Sequence, residues 1–151
     1  SSTLPASATR KGQTWRIVVR PPGSYAGWEP GEQSVVIQNA PPTVTSVDVR
    51  LTDTSLTSSL TCQPGTGSDA DGDAVEFSYS WEVNNIPIIG EVNPVLDRAF
   101  FSTGGSVACI VMPMDGESTG QAVRSREVNV IRPSSTIEAE DPNSRFGRRR
   151  K

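Results

Sequence analysis

The chain has 151 residues, a formal net charge of −3 and no histidine. That length holds one ordinary domain plus flanking pieces, and the missing imidazole excludes Ser-His-Asp and Cys-His arrangements and most zinc sites. Glycine and proline total 25 residues (13 + 12) and hydrophobic residues make up 34 %, a turn-rich composition suited to thin all-β layers with one wet face each.

Residues 1–9 are expected to be flexible, and Ser1-Ser2-Thr3 has none of the marks of a signal peptide, so an export signal is expected upstream. The segment from Lys11 to Pro21 (Lys-Gly-Gln-Thr-Trp-Arg-Ile-Val-Val-Arg-Pro) then matches Thr103 to Pro113 (Thr-Gly-Gly-Ser-Val-Ala-Cys-Ile-Val-Met-Pro), 92 residues further on. Ser34-Val35-Val36-Ile37 matches Glu127-Val128-Asn129-Val130 at an offset of 93. Residues 10–38 therefore read as the last two strands of one repeat, and 43–132 as a complete one. Between them, Asn39-Ala40-Pro41-Pro42 is a stiff, donor-poor spacer. The first repeat lacks the strands that should cover its hairpin. Trp15, Tyr25 and Trp28 lie in it, and are expected either to pack at the junction or to present a glycan-binding face.

In the complete repeat, period-two alternation predicts strands. Val47, Val49 and Leu51 share one face of the first, and Leu60 and Cys62 one face of the second. Val75, Phe77, Tyr79, Trp81 and Val83 alternate with polar residues in the clearest strand of the chain. Asn84-Asn85 is a turn, and beyond it Ile88 and Ile89 are expected to start a short edge strand, with Pro87 kept out of the ladder. Val107, Cys109, Val111 and Pro113 share a face, followed by Val128 and Val130 on the last strand. Residues 133–151 read as a linker or basic tail; Arg145 to Lys151 hold five of the fourteen basic residues.

Cys62, Trp81 and Cys109 all fall on apolar phases, which predicts an inter-sheet disulfide with the indole packed on it and, with it, an oxidising compartment. The predicted fold is an Ig-like antiparallel β-sandwich with Greek-key connections, its core built around Phe77, Tyr79 and Trp81.

Between Cys62 and the Trp81 strand lies Ser68-Asp69-Ala70-Asp71-Gly72-Asp73. Carboxylates on alternate residues of a tight turn can surround a calcium ion, which takes six to eight oxygens. The loop is not an EF-hand: glycine is at its fourth position and Ser80 at its twelfth. Asp115, in a loop expected at the same end of the sandwich, is the expected fourth carboxylate, with Glu117 a weaker candidate; Gly23 stands at the position of Asp115 in the partial repeat. Residues 41–132 carry twelve acidic and five basic residues, a balance that fits divalent cations and excludes nucleic acid as an expected partner.

The Asp-rich loop, the strand Tyr79 to Asn85, the segment Cys109 to Gly116 and the closing Val128-Asn129-Val130 together resemble tandem Ig-like repeats of bacterial and archaeal surface proteins. These are the cadherin-like and polycystic-kidney-disease-like modules with an Asp-x-Asp-Gly-Asp loop. The resemblance implies a non-catalytic extracellular or cell-surface module, structural or adhesive, stiffened by calcium through Asp69, Asp71, Asp73 and Asp115. Its expected partners are neighbouring repeats or subunits of the same protein, a surface glycan or a host protein, with no membrane span in this segment. Two alternatives stand beside it: a carbohydrate-binding accessory module, and a virion or appendage filament subunit assembling by strand complementation.

Overall fold

A computed structural model of the chain describes residues 3–20, 23, 27, 29–51 and 58–131. Tyr25, Trp28 and the tail 133–151 lie outside the described residues. The architecture is all-β, in several antiparallel sheets consistent with a β-sandwich. Among the described residues, no helix is long and apolar enough to cross a membrane.

Strands β1 (Thr14–Val19) and β2 (Gly31–Val36) form a two-stranded hairpin. Strands β3 (Thr43–Val44) and β6 (Gly67–Ser68) pair as a short ribbon. One layer of the sandwich is β4 (Val47–Leu51), β5 (Leu60–Pro64) and β9 (Val95–Leu96), with β5 central. The other is built on β10 (Ser106–Met114), which pairs with β7 (Glu76–Val83) on one edge and with β11 (Val123–Arg124) and β12 (Val128–Asn129) on the other. Outside β7 lies β8 (Ile86–Ile88), the edge strand.

The core sits where the alternation placed it. Leu60 and Cys62 from one layer meet Trp81, Val107, Cys109 and Val111 from the other, all buried, with Phe77, Tyr79 and Val83 packed at the margin. Cys62 and Cys109 form the disulfide that joins the two layers, with a Cα–Cα separation of 6.0 Å. The indole N–H of Trp81 donates to the Asn93 carbonyl at 2.9 Å, which satisfies the one polar atom of that buried ring. Leu96 and Phe101 also belong to this core; they stand in a segment too irregular for a periodicity reading. Leu51 is exposed at the end of its strand instead of facing inward.

The edge strand begins earlier than the sequence suggests, at Ile86, and contains Pro87; Ile89 lies beyond it, fully in solvent. Asn84 and Asn85 both have positive φ, 52° and 61°, the backbone of a two-residue hairpin turn. In such a hairpin Val83 and Ile86 form the hydrogen-bonded pair, so the nitrogen of Pro87 points away from β7 and costs the ladder nothing. Ahead of the hairpin, Ala6–Ala8 form a short 3-10 turn, with the Thr9 hydroxyl donating to the Ala6 carbonyl.

The β1–β2 hairpin repeats the β10–β12 pairing in the same register. Thr14 faces Val36 as Ser106 faces Asn129, and Trp15 faces Val35 as Val107 faces Val128. The entry turns agree as well. Gly12 N–H donates to Ile37 O at 2.8 Å and Ile37 N–H to Gln13 O at 2.9 Å. Gly104 N–H donates to Val130 O at 2.7 Å and Val130 N–H to Gly105 O at 2.9 Å. Gly12 and Gly104 both have positive φ, 77° and 89°, a conformation that glycine adopts without a Cβ penalty.

Candidate metal centre and junction

The acidic loop leaves β6 and returns into β7, so the short ribbon fixes one end and the longest inner strand but one fixes the other. Asp69, Asp71 and Asp73 each offer an oxygen, and these atoms lie within 4.8 Å of one another. The three side chains do different things. Asp69 shapes the loop: its Oδ1 accepts from the N–H groups of Asp71 (2.8 Å) and Asp73 (3.2 Å), as an Asx turn does. Its Oδ2 is enclosed and has no hydrogen-bond partner. Asp71 Oδ2 accepts from the N–H of Ala40, in the spacer, at 2.8 Å. Asp73 Oδ2 is paired with the ammonium of Lys11, at the start of the β1–β2 hairpin.

Asp115, the expected fourth carboxylate, lies outside this mutually close group. It has been turned to a local task instead. Oδ1 accepts from the N–H groups of Glu117 (2.8 Å) and Ser118 (2.6 Å), and Oδ2 from the Ser118 hydroxyl (2.9 Å) and the Asn39 amide (2.8 Å). These donors, the Asn39 amide foremost, hold the Asp115 carboxyl well below its ordinary 3.8. Asn39 donates to Ser118 Oγ as well, at 2.9 Å. Its own carbonyl oxygen accepts from Lys11 Nζ at 3.1 Å.

Lys11 is the residue that sequence reasoning missed. Its ammonium bonds Asp73, Glu117 (2.7 Å) and Asn39, three partners from three segments. The carboxylates, Asp73 first and Glu117 next, raise its pKa above the ordinary 10.5. The pattern could not reveal it, because Lys11 lies 62 residues from Asp73 and 106 from Glu117. The available signal was geometric: a four-residue spacer must bring the hairpin's first turn close to the tip of the next unit.

Of the aromatic residues in the partial repeat, Trp15 is half-buried on β1 and donates its indole N–H to Gln13 Oε1 at 3.1 Å. A second polar anchor, equally silent in the sequence, is buried Ser125. Its hydroxyl accepts from Cys109 N–H at 3.0 Å and donates to Arg126 O at 2.8 Å, and its N–H donates to Cys109 O at 2.8 Å. This fills the break between β11 and β12 beside the disulfide.

Compared with protein-family models, curated proteins and solved structures, the chain shows no significant match to any.

Proposed function

We propose that residues 43–132 act as a non-catalytic Ig-like module of a secreted or surface-exposed protein, a structural or adhesive spacer within a string of similar units. One observation carries this reading. Polar side chains converge on the seam between hairpin and sandwich and tie one to the other: Lys11 to Asp73 and Glu117, Asn39 to Asp115, and Asp71 to the spacer. A chain without histidine that commits its carboxylates to a seam is organised for mechanical continuity. The disulfide supports placement in an oxidising compartment.

Within this reading, calcium is the cation of the acidic loop. The donor set is hard oxygen, and the enclosed, unpartnered Asp69 Oδ2 is an atom a cation would satisfy. Asp69, Asp71 and Asp73 would hold the ion, with carbonyls and water completing its shell. Bound there, calcium supplies positive charge to a loop in which Lys11 bonds only Asp73 of the three. The test is the melting midpoint with calcium and with a chelator, for the native chain and for Asp71→Asn. Free calcium at 100 times its Kd should stabilise the native chain by about 2.7 kcal/mol, and the variant by much less. Identical midpoints in calcium and chelator would remove calcium from the reading.

A further inference from the structure

We propose that Lys11 regulates the acidic loop: its ammonium holds Asp73 as a tethered competitor of calcium, and the loop takes the ion only as Lys11 shifts onto Glu117 and Asn39. This inference rests on the reading of the loop as a calcium site and adds a control to it. The three carboxylates differ in what stands against their recruitment. Asp69 Oδ2 is enclosed and unpartnered. Asp71 Oδ2 accepts from a neutral backbone N–H, that of Ala40. Asp73 Oδ2 is paired with an ammonium. A neutral donor leaves a carboxylate its full charge, whereas an ammonium on Asp73 sets a second positive charge against any ion that uses the same carboxylate. Calcium affinity follows the charge of the ligand set, and Lys11 offsets one carboxylate of the three.

The remaining bonds of Lys11 give it somewhere to go. Its Nζ already reaches Glu117 Oε1 at 2.7 Å and Asn39 Oδ1 at 3.1 Å. One acceptor stands in the turn after β10 and the other in the spacer, both outside the acidic loop. A lysine carries three donors on a flexible stem, so it can leave Asp73 and stay bonded within the seam. Lys11 also adjoins the entry turn of the hairpin, where Gly12 N–H donates to Ile37 O at 2.8 Å. The hairpin's attachment and the ion's affinity therefore draw on one carboxylate. Linkage makes the effect reciprocal: Lys11 weakens calcium binding by the same factor by which calcium weakens the bond from Lys11 to Asp73. The loop binds calcium least where the hairpin is held most firmly, so its occupancy depends on how the hairpin sits.

The experiment titrates calcium calorimetrically into the intact chain, Lys11→Met and Lys11→Gln, with Arg16→Met as the control for net charge; Arg16 lies on β1 and pairs with Glu32. Both Lys11 variants should bind calcium about tenfold more tightly than the native chain. Arg16→Met should stay within about twofold of native, because solvent and salt screen a charge outside the site. Amide exchange at Gly12 and Ile37 should be faster in calcium than in chelator for the native chain, and equal in the two for Lys11→Met. Calcium binding of equal or lower affinity in the Lys11 variants overturns this inference and leaves the calcium site standing. Tightening by Arg16→Met as large as that by Lys11→Met overturns it too, since net charge would then be the cause. Absence of calcium binding in every chain removes the calcium reading and this inference with it.

Discussion

The hairpin β1–β2 and the pair β10–β12 have the same turn, the same register and the same apolar phase, yet opposite surroundings. In one, the apolar face is sealed by β5 and the disulfide; in the other, Ile17, Val19 and Val35 stand half or more in solvent. The shared register accompanies a shared local sequence, a glycine turn leading into an apolar-rich strand. Burial is a separate property, conferred by whatever lies across the face. Hydrophobic stabilisation follows area removed from water, so matched positions in the two hairpins should respond very differently to the same change.

The largest contrast is expected at Cys109 and its counterpart Ile17. Replacing Cys62 and Cys109 together by alanine opens a loop spanning a sequence separation of 47 and should cost about 4 kcal/mol in the chain-entropy description. Ile17→Ala should cost well under about 1 kcal/mol, because its side chain is mostly wet already. Denaturant titrations read both. Equal losses would mean that the hairpin face is covered in solution.

A sharper comparison changes one residue type in both places. Val111→Ala removes two buried methyl groups and should cost about 2 kcal/mol; Val19→Ala, at the matching position, should fall within about 0.5 kcal/mol of the native chain. If the two agree, the equivalence of the hairpins is one of backbone and environment alike.

The smallest effect belongs to the seam. Lys11→Met should leave the melting midpoint of the sandwich nearly unchanged, since ion pairs this exposed contribute little, while amide exchange at Gly12 and Ile37 quickens as the hairpin loosens. The pH dependence has a definite sign. The Asp115 carboxyl is depressed, so its contribution is complete above its ordinary 3.8 and disappears as acid protonates it below that. The Lys11 ammonium is raised, so its contribution is complete below 10.5 and is lost as pH climbs through its higher folded value. Hairpin protection should therefore hold a plateau between roughly pH 4 and pH 10, weakening on both sides, and Lys11→Met should abolish the alkaline limb only. An alkaline limb that survives in the variant would place the charge elsewhere.

Much of this was legible in the chain. Cys62, Trp81 and Cys109 each occupy an apolar phase, and a disulfide across two layers follows from phase alone. The hairpin repeat was visible because backbone register is written by short, local spacing. What could not be read was side-chain commitment over long separations. Asp115 looked free to bind a metal, and only the folded seam shows Asn39 and Ser118 already taking both of its oxygens. Lys11, Ser125 and Phe101 sit in turns or irregular segments, and Leu96 in a strand of only two residues, where no period marks them.

Pro87 guards the edge of the β10 sheet. With its ring nitrogen turned outward on the edge strand, the far margin of the β10 sheet presents a gap where an amide hydrogen would be needed, and proline at such a margin discourages runaway lateral fusion and amyloid-like stacking.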